Sequence, residues 1–210
     1  MKYFSDKLWQ VLCRTKIVLS KEFFHSGFLW WRAWSKVYRR FYHSEYNSVT
    51  LPENLSLTQV QDNLSKLNWQ PDGLKELWDA CGSPQRVQHI LNKLSEGRPQ
   101  PLGPMDCDDF SIWAAHVIDK NFYPRIFCFA WLDDKDCSLK AHAMCLLRQP
   151  DGRVFHLSNW GTSKAYPNLR EICLDILQKT NSSESIGWCV LQKDLSILNV
   201  GLELPSGSMY

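Results

Sequence analysis

Residues 106–119 read DCDDFSIWAAHVID and mark the point where helical patterns give way to strand patterns. Small or apolar side chains recur here at helical spacing, which predicts a buried helix from Cys107 to Asp119. The four positions that carry this spacing are Phe110, Trp113, Ala114 and Val117. Aspartates crowd the predicted first turn, where they suit the positive end of the helix dipole. Cys107 therefore belongs to the first turn of a helix that the core surrounds.

The residues before this segment carry helix signals. Residues 1–50 have helical spacing with Gly27 as the obvious breaker, so we expect one or two helices there. Ser56, followed three residues later by Gln59, predicts a capping box and a helix to about Leu67. A short helix is expected from Pro71 to about Gly82, and Ser83-Pro84 predicts the start of another. Residues 97–104 contain three prolines and two glycines and predict a loop.

The residues after this segment carry strand patterns and one further helix, from Leu169 to Lys179. The predicted strands are Arg125 to Leu132, Ala141 to Gln149, Arg153 to Ser158, Gly187 to Gln192 and Leu195 to Val200. Helices first and an antiparallel sheet afterwards predict an α+β fold, in which the Cys107 helix packs on the sheet. We expect an aromatic and basic helical segment over residues 1–50 and the main domain over residues 51–210.

Composition narrows the class of protein. The 210 residues are 44% hydrophobic, enough for one domain with an accessory segment. The formal charge of +2 gives no reason to expect a nucleic-acid partner. The eight cysteines include no Cys-x-x-Cys pair, and Cys137 and Cys145 near His142 lack the paired spacing of a zinc site, so neither a metal nor a cofactor is predicted. Without a signal peptide pattern, we expect a reducing, cytoplasmic setting.

Three residues meet the needs of a nucleophilic cysteine, which requires a base and a group that orients this base. Cys107 lies where free backbone N–H groups favour a thiolate, while Asp108 and Asp109 are expected to face away and cap the helix. His142 lies in a strand among apolar neighbours, where an imidazole needs a polar partner. Asn159 ends the following strand and is the candidate for that partner.

The hairpin between these two strands predicts how His142 and Asn159 meet. A four-residue turn over Gln149-Pro150-Asp151-Gly152 pairs Arg148 with Arg153 and sets Asn159 directly opposite His142. A three-residue loop with Gly152 in a bulge instead places Asn159 opposite Ala143, facing away from the imidazole. Because turn chemistry and catalytic need agree on the first register, it is the predicted one.

These residues resemble bacterial and phage transglutaminase-like, papain-like cysteine peptidases. The resemblance covers roughly residues 69–161 and rests on four motifs. They are Trp69-x-Pro71-Asp72 with Trp78-Asp79, Asp106-Cys107-Asp108-Asp109-Phe110, Ala141-His142-Ala143, and Asn159-Trp160-Gly161. It implies a triad of Cys107, His142 and Asn159 that hydrolyses an amide or peptide bond of a protein or peptide substrate without a cofactor. The glutamine that papain-like enzymes use as oxyanion donor is missing, since Pro101 stands in its place, and Gln100 is the nearest substitute.

Two other functions stay open. The same residues suit a transglutaminase-type acyltransferase, in which an amine replaces water, or an inactive family member that only binds. The segment Phe23 to Tyr46 holds ten aromatic residues interleaved with arginine and lysine, and we expect these aromatics to pack on the main domain because they lie nearly all round the helix. The rival interpretation is that residues 23–46 contact a membrane surface.

Overall fold

The computed structural model describes residues 2–42, 44–69, 82–100 and 105–206. Most of the short helix predicted from Pro71 to about Gly82 falls outside the described residues. The described helices are α1 (Lys2–Tyr42), α2 (Leu57–Leu64), α3 (Pro84–Ser95), α4 (Cys107–Val117) and α5 (Leu169–Thr180), with short 3-10 turns at Ser44–Tyr46 and Lys120–Phe122.

The predicted helix starts are confirmed. Ser56 and Gln59 form the complete capping box at the start of α2, where Gln59 N donates to Ser56 Oγ and Ser56 N donates to Gln59 Oε1. Ser83 caps α3, with Pro84 as its first residue. The N-cap of α4 is Asp106, whose side chain accepts a hydrogen bond from Asp108 N at 3.2 Å. Cys107 is consequently the first residue of α4.

Six strands form one antiparallel sheet in the order β4-β3-β2-β1-β5-β6. Their bounds are β1 (Arg125–Leu132), β2 (Leu139–Arg148), β3 (Val154–Ser158), β4 (Gly161–Thr162), β5 (Glu184–Leu191) and β6 (Ile197–Gly201). Helices precede the sheet along the chain except for α5, so the predicted α+β class is confirmed. The two-residue strand β4 was not predicted.

The sheet has a different helix on each face. Alternate residues of β1, β2, β3 and β5 join the core around α4; they include Ile126, Cys145, Leu147, Phe155, Leu157 and Leu191. The residues between them join the core beside α5, including Phe127, Phe129, Met144, Leu146, Val154 and Val190. Because side chains of a strand point to alternate faces, these two clusters define which face every strand residue meets. We call them the α4 face and the α5 face.

The β2–β3 hairpin does not adopt the predicted register. Arg148 pairs with Val154, and Gln149 N donates to Arg153 O at 2.8 Å. The loop thus has three residues, closed by Gly152 N donating to Gln149 O at 2.9 Å, and Gly152 takes a positive φ of 87° that suits glycine. The prediction was wrong because it assigned the proline and glycine to a four-residue turn. This one-residue change turns the end of β3 over relative to β2.

Helix α1 meets the sheet along one side only. The ring of Phe24 lies over Gly187 of β5, where a Cβ would come within 2.6 Å of it, and Lys21 pairs with Glu184 at 3.6 Å. Phe23 and Trp30, however, are 64% and 72% exposed. The expectation that the aromatics of this segment pack on the main domain is therefore only half right.

Candidate active site

Cys107 lies at the edge of β2 that β3 leaves uncovered. It is partly exposed, and its Sγ accepts a hydrogen bond from Ala143 N at 3.4 Å. Strand β3 pairs with β2 only from Cys145 to Arg148, which leaves the N–H of Ala143 available for the sulfur. A thiolate at the first residue of α4 also faces the positive end of the helix dipole. The backbone around Cys107 therefore favours its ionised form.

The remaining described cysteines differ from Cys107. Cys145, Cys173 and Cys189 are buried, and burial raises the pKa of the Cys145 and Cys173 thiols. Cys128 is partly exposed, like Cys107, but it lies in β1 rather than at a helix start. Cys137 is disulfide-bonded, so its sulfur is not a free thiol. Cys107 has the setting that best suits a nucleophile among these thiols.

His142 faces the side of the sheet opposite to α4. It pairs with Phe129, which belongs to the α5 face, and opposed residues of an antiparallel pair point to the same face. Its ring stacks on Trp160, with centroids 3.6 Å apart and planes 12° from parallel. The side chain is 3% exposed, and its Nε2 has no hydrogen-bond partner in the described structure. Burial, reinforced by the nearby His156, lowers the pKa of His142 to about 3.

Asn159 does not hydrogen-bond to His142. Together with Trp160 it forms the two-residue turn that joins Ser158 of β3 to Gly161 of β4. Its Oδ1 is buried and finds no partner among the residues that the structure describes. The predicted hydrogen bond to the imidazole is therefore absent.

The one-residue change of register explains both side chains. Continued past Ser158, the observed pairing sets Trp160 opposite His142 and Asn159 opposite Ala143. Trp160 thus occupies the position against the imidazole that the sequence predicted for Asn159. Two buried polar atoms, Nε2 of His142 and Oδ1 of Asn159, are left without partners.

The backbone of His142 nevertheless lies close to the Cys107 sulfur. Ala143 N is two covalent bonds from the Cα of His142, so this Cα lies within about 6 Å of the Cys107 sulfur that Ala143 N contacts. The imidazole is separated from the sulfur by the direction of its side chain rather than by distance along the fold.

The second oxyanion donor is not Gln100. Its amide is fully engaged with the backbone of Asn68: Asn68 N donates to Oε1 at 2.7 Å, and Nε2 donates to Asn68 O at 2.8 Å. Gln100 is therefore held by the backbone of Asn68.

Asp109 plays a role that the sequence did not predict. It is 3% exposed, accepts a hydrogen bond from Gly82 N at 2.7 Å, and pairs with Arg86 Nη1 at 3.4 Å. The expectation that Asp109 caps the helix from outside was wrong, because Asp106 takes the N-cap and Asp109 points into the domain. Its ion pair fixes the start of α4 to α3 and so holds Cys107 in place.

His156 is a second buried histidine that sequence reasoning missed. It lies in β3 opposite Leu146, a residue of the α5 face, and its Nδ1 has no hydrogen-bond partner within the described ranges. Burial, with a smaller contribution from Lys179 and against the opposing charge of Asp175, lowers the pKa of His156 to about 4. Its alternation with Val154 in β3 was the signal that could have placed it on the same face as His142.

Comparison with known proteins adds no family. No protein-family model matches the chain, and no curated protein or solved structure matches it. The resemblance to transglutaminase-like peptidases therefore rests on the sequence motifs alone.

Proposed function

We propose that the protein is a thiol-dependent hydrolase with a transglutaminase-like or papain-like core, in which Cys107 is the nucleophile. The observation that carries the proposal is the hydrogen bond from Ala143 N to Cys107 Sγ at the first residue of α4. A sulfur that receives an N–H at a helix start is stabilised as a thiolate. Partial exposure leaves it open to a substrate carbonyl, whereas Cys145 and Cys173 are buried.

His142 is the proposed base. Its backbone lies within about 6 Å of the nucleophile, and its Nε2 is a buried polar atom without a partner among the described residues. Asn159 Oδ1 has the same deficit on the other side of the turn. We propose that substrate binding turns the imidazole away from Trp160 toward Cys107, where Asn159 can then accept a hydrogen bond from it.

The proposed reaction is acyl transfer in two steps. The His142 imidazole takes the proton of the Cys107 thiol, the resulting thiolate attacks the carbonyl carbon of an amide, and the main-chain N–H groups at the start of α4 stabilise the oxyanion. The amine leaves with a proton from the His142 imidazolium, which produces a thioester. Water, deprotonated by the neutral imidazole, then attacks the thioester and releases the acid and the thiolate. If an amine attacks in place of water, the same residues perform amide transfer.

A model ester tests this reaction class without knowledge of the substrate. We expect p-nitrophenyl acetate to acetylate Cys107, to release p-nitrophenolate and to turn over, with the acetyl group located by intact-protein and peptide mass spectrometry. Cys107→Ser should abolish the catalysed release. Cys128→Ser is the matched control, since Cys128 is the other partly exposed cysteine outside a disulfide among the residues that the structure describes, and the variant should leave the rate unchanged. Equal rates in wild type and Cys107→Ser would overturn the proposal.

A second candidate is a binding module that has lost catalysis. It is favoured by one observation: the side chains of Cys107 and His142 are on different sides of β2, and the imidazole is stacked on Trp160. In that case acetylation of Cys107 would be no faster than that of Cys128, and His142→Ala would not change it. Those two results separate the binding module from the hydrolase.

A further inference from the structure

One side of helix α1 packs on the domain, and the opposite side is exposed to solvent. Leu19 and Phe28 are nine residues apart, which at about 100° per residue places them on opposite sides of the helix. Phe24, Phe28 and Ser35 form the side that meets the domain, and Ser35 is fully buried. On the other side, Leu19 is 52% exposed. The helix is thus docked by one side and open on the other.

The open side carries an apolar stripe. Six large hydrophobic residues of α1 are exposed, by 41% to 72% of their surface: Val18, Leu19, Phe23, Leu29, Trp30 and Val37. Phe23, Trp30 and Val37 repeat every seven residues, so they lie in one line along the helix. We call these six residues the exposed stripe. At about 1.5 Å per residue it runs for roughly 30 Å, which is far more than scattered surface apolar residues explain.

The charge of α1 sets it apart from the rest of the chain. Lys2–Tyr42 contains nine lysine or arginine residues and two acidic residues, a net charge of +7. The whole chain carries only +2, so the remainder carries −5. Lys16, Lys36 and Arg40 are exposed residues of this helix. Apolar side chains and an excess of positive charge therefore occur together on α1.

We propose that the exposed stripe of α1 binds the surface of an anionic lipid bilayer, with the helix lying along the membrane plane. Aromatic and aliphatic side chains of such a helix enter the boundary between headgroups and acyl chains, while its lysines and arginines meet the lipid phosphates. No helix in the described residues is long and apolar enough to cross a bilayer, so the contact is peripheral. The domain would then lie against the membrane through its N-terminal helix.

Charge decides between this occupant and a second copy of the chain. Two copies paired through the exposed stripe would bring two helices of net charge +7 together, and like charges in contact oppose association. An anionic surface has the complementary sign over the whole length of the stripe. A lipid surface also tolerates the uneven mixture of aromatic and aliphatic side chains, because it needs no matching shape.

Vesicle flotation with the full-length protein tests the proposal. We expect it to float with vesicles of phosphatidylserine and phosphatidylcholine, to bind phosphatidylcholine vesicles much more weakly, and to be released as salt is raised. The double variant Phe23→Ala with Trp30→Ala should lower the affinity, on the order of tenfold per ring. Both side chains are exposed, so circular dichroism should show an unchanged fold.

Matched variants make the result specific. Trp69→Ala removes a tryptophan that is 51% exposed outside α1 and should not change binding. Lys36→Glu should weaken binding to anionic vesicles, whereas Lys66→Glu, on an exposed lysine outside α1, should have little effect. Flotation equal on neutral and anionic vesicles would overturn the proposal. The proposal would also be overturned by a protein that does not bind anionic vesicles but sediments as a dimer. In that case the double variant Phe23→Ala with Trp30→Ala would dissociate the dimer.

Discussion

The reactive residues on the two faces of the sheet differ in their exposure and hydrogen bonding. On the α4 face, Cys107 is partly exposed and accepts a backbone hydrogen bond, and Asp109 nearby is buried but paired with Gly82 N and Arg86. On the α5 face, His142 and His156 are buried, and each has a ring nitrogen without a hydrogen-bond partner in the described structure. Asp109 thus has two partners on the side of α4, whereas two imidazoles on the α5 face each have a ring nitrogen without one among the described residues.

This difference shows that a shift of one residue in strand register changes which side chains lie on each face of the sheet. Neighbouring residues of β2, His142 and Ala143, serve different faces, and only the backbone of Ala143 reaches Cys107. A hairpin loop shorter by one residue than predicted exchanges Asn159 for Trp160 beside the imidazole. The candidate residues Cys107, His142 and Asn159 are all present, yet the observed register keeps the side chains of Asn159 and His142 apart.

The largest expected effect is on the α4 face. Asp109→Ala removes the partner of a buried guanidinium and of Gly82 N, so we expect a loss of about 3 to 5 kcal/mol in the free energy of unfolding. Urea unfolding measures it. Asp151→Ala is the control, because it breaks the exposed ion pair with Arg153 and should change stability hardly at all. Equal effects of the two variants would show that the Asp109 ion pair does not fix the start of α4.

Acid pH should lower the free energy of unfolding through the two histidines of the α5 face. The pKa of His142 is lowered to about 3 and that of His156 to about 4, both by burial, so the folded state holds them neutral where the unfolded chain binds protons. Stability therefore falls as pH drops below about 6.5, by up to about 2 kcal/mol per histidine between pH 7 and pH 5.

Variants isolate this contribution from that of the carboxylates. His142→Gln and His156→Gln should each flatten the dependence of the free energy of unfolding on pH, measured by urea unfolding at pH 7 and pH 5. Wild type measured alongside gives the reference slope. Unchanged slopes in the first two variants would mean that these imidazoles are protonated in the folded state.

A smaller effect is expected from removing Trp160, whose ring stacks on His142. Trp160→Ala removes the ring stacked on His142, so we expect a loss of about 1 kcal/mol and a rise in the pKa of His142 from about 3 toward its ordinary value. Titration of the imidazole resonances by NMR measures the shift. Trp69→Ala serves as the comparison and should leave that resonance unmoved. A pKa of His142 that stays near 3 without Trp160 would mean that the stack is not what buries it.

Local signals allowed much of the fold to be predicted. The capping box of Ser56 and Gln59, the Ser83-Pro84 start and the apolar spacing around Trp113 each depend on neighbours within one or two turns. The strand β1 was predicted at its observed bounds, Arg125–Leu132, because an unbroken apolar run is typical of a buried strand. Class and element order followed from these.

The arrangement of the site could not be read in the same way. The loop of the β2–β3 hairpin admits two lengths, and the choice depends on Gly152 taking a positive φ rather than on composition. The pair of Asp109 and Arg86 joins two helices, and no local pattern marks it. The side of α1 that packs on the sheet depends on Gly187, a residue far along the chain whose lack of a side chain leaves room for the ring of Phe24.

The most direct test of the account is the alkylation rate of Cys107 by iodoacetamide at neutral pH, followed by peptide mass spectrometry. If Cys107 is a nucleophile activated at the start of α4, it should react roughly tenfold faster than Cys128, the other partly exposed cysteine outside a disulfide in the described part of the chain. His142→Ala should leave both rates unchanged in the absence of substrate, because the resting imidazole is stacked on Trp160 and the backbone activates the thiol. Equal rates for the two cysteines would contradict the account.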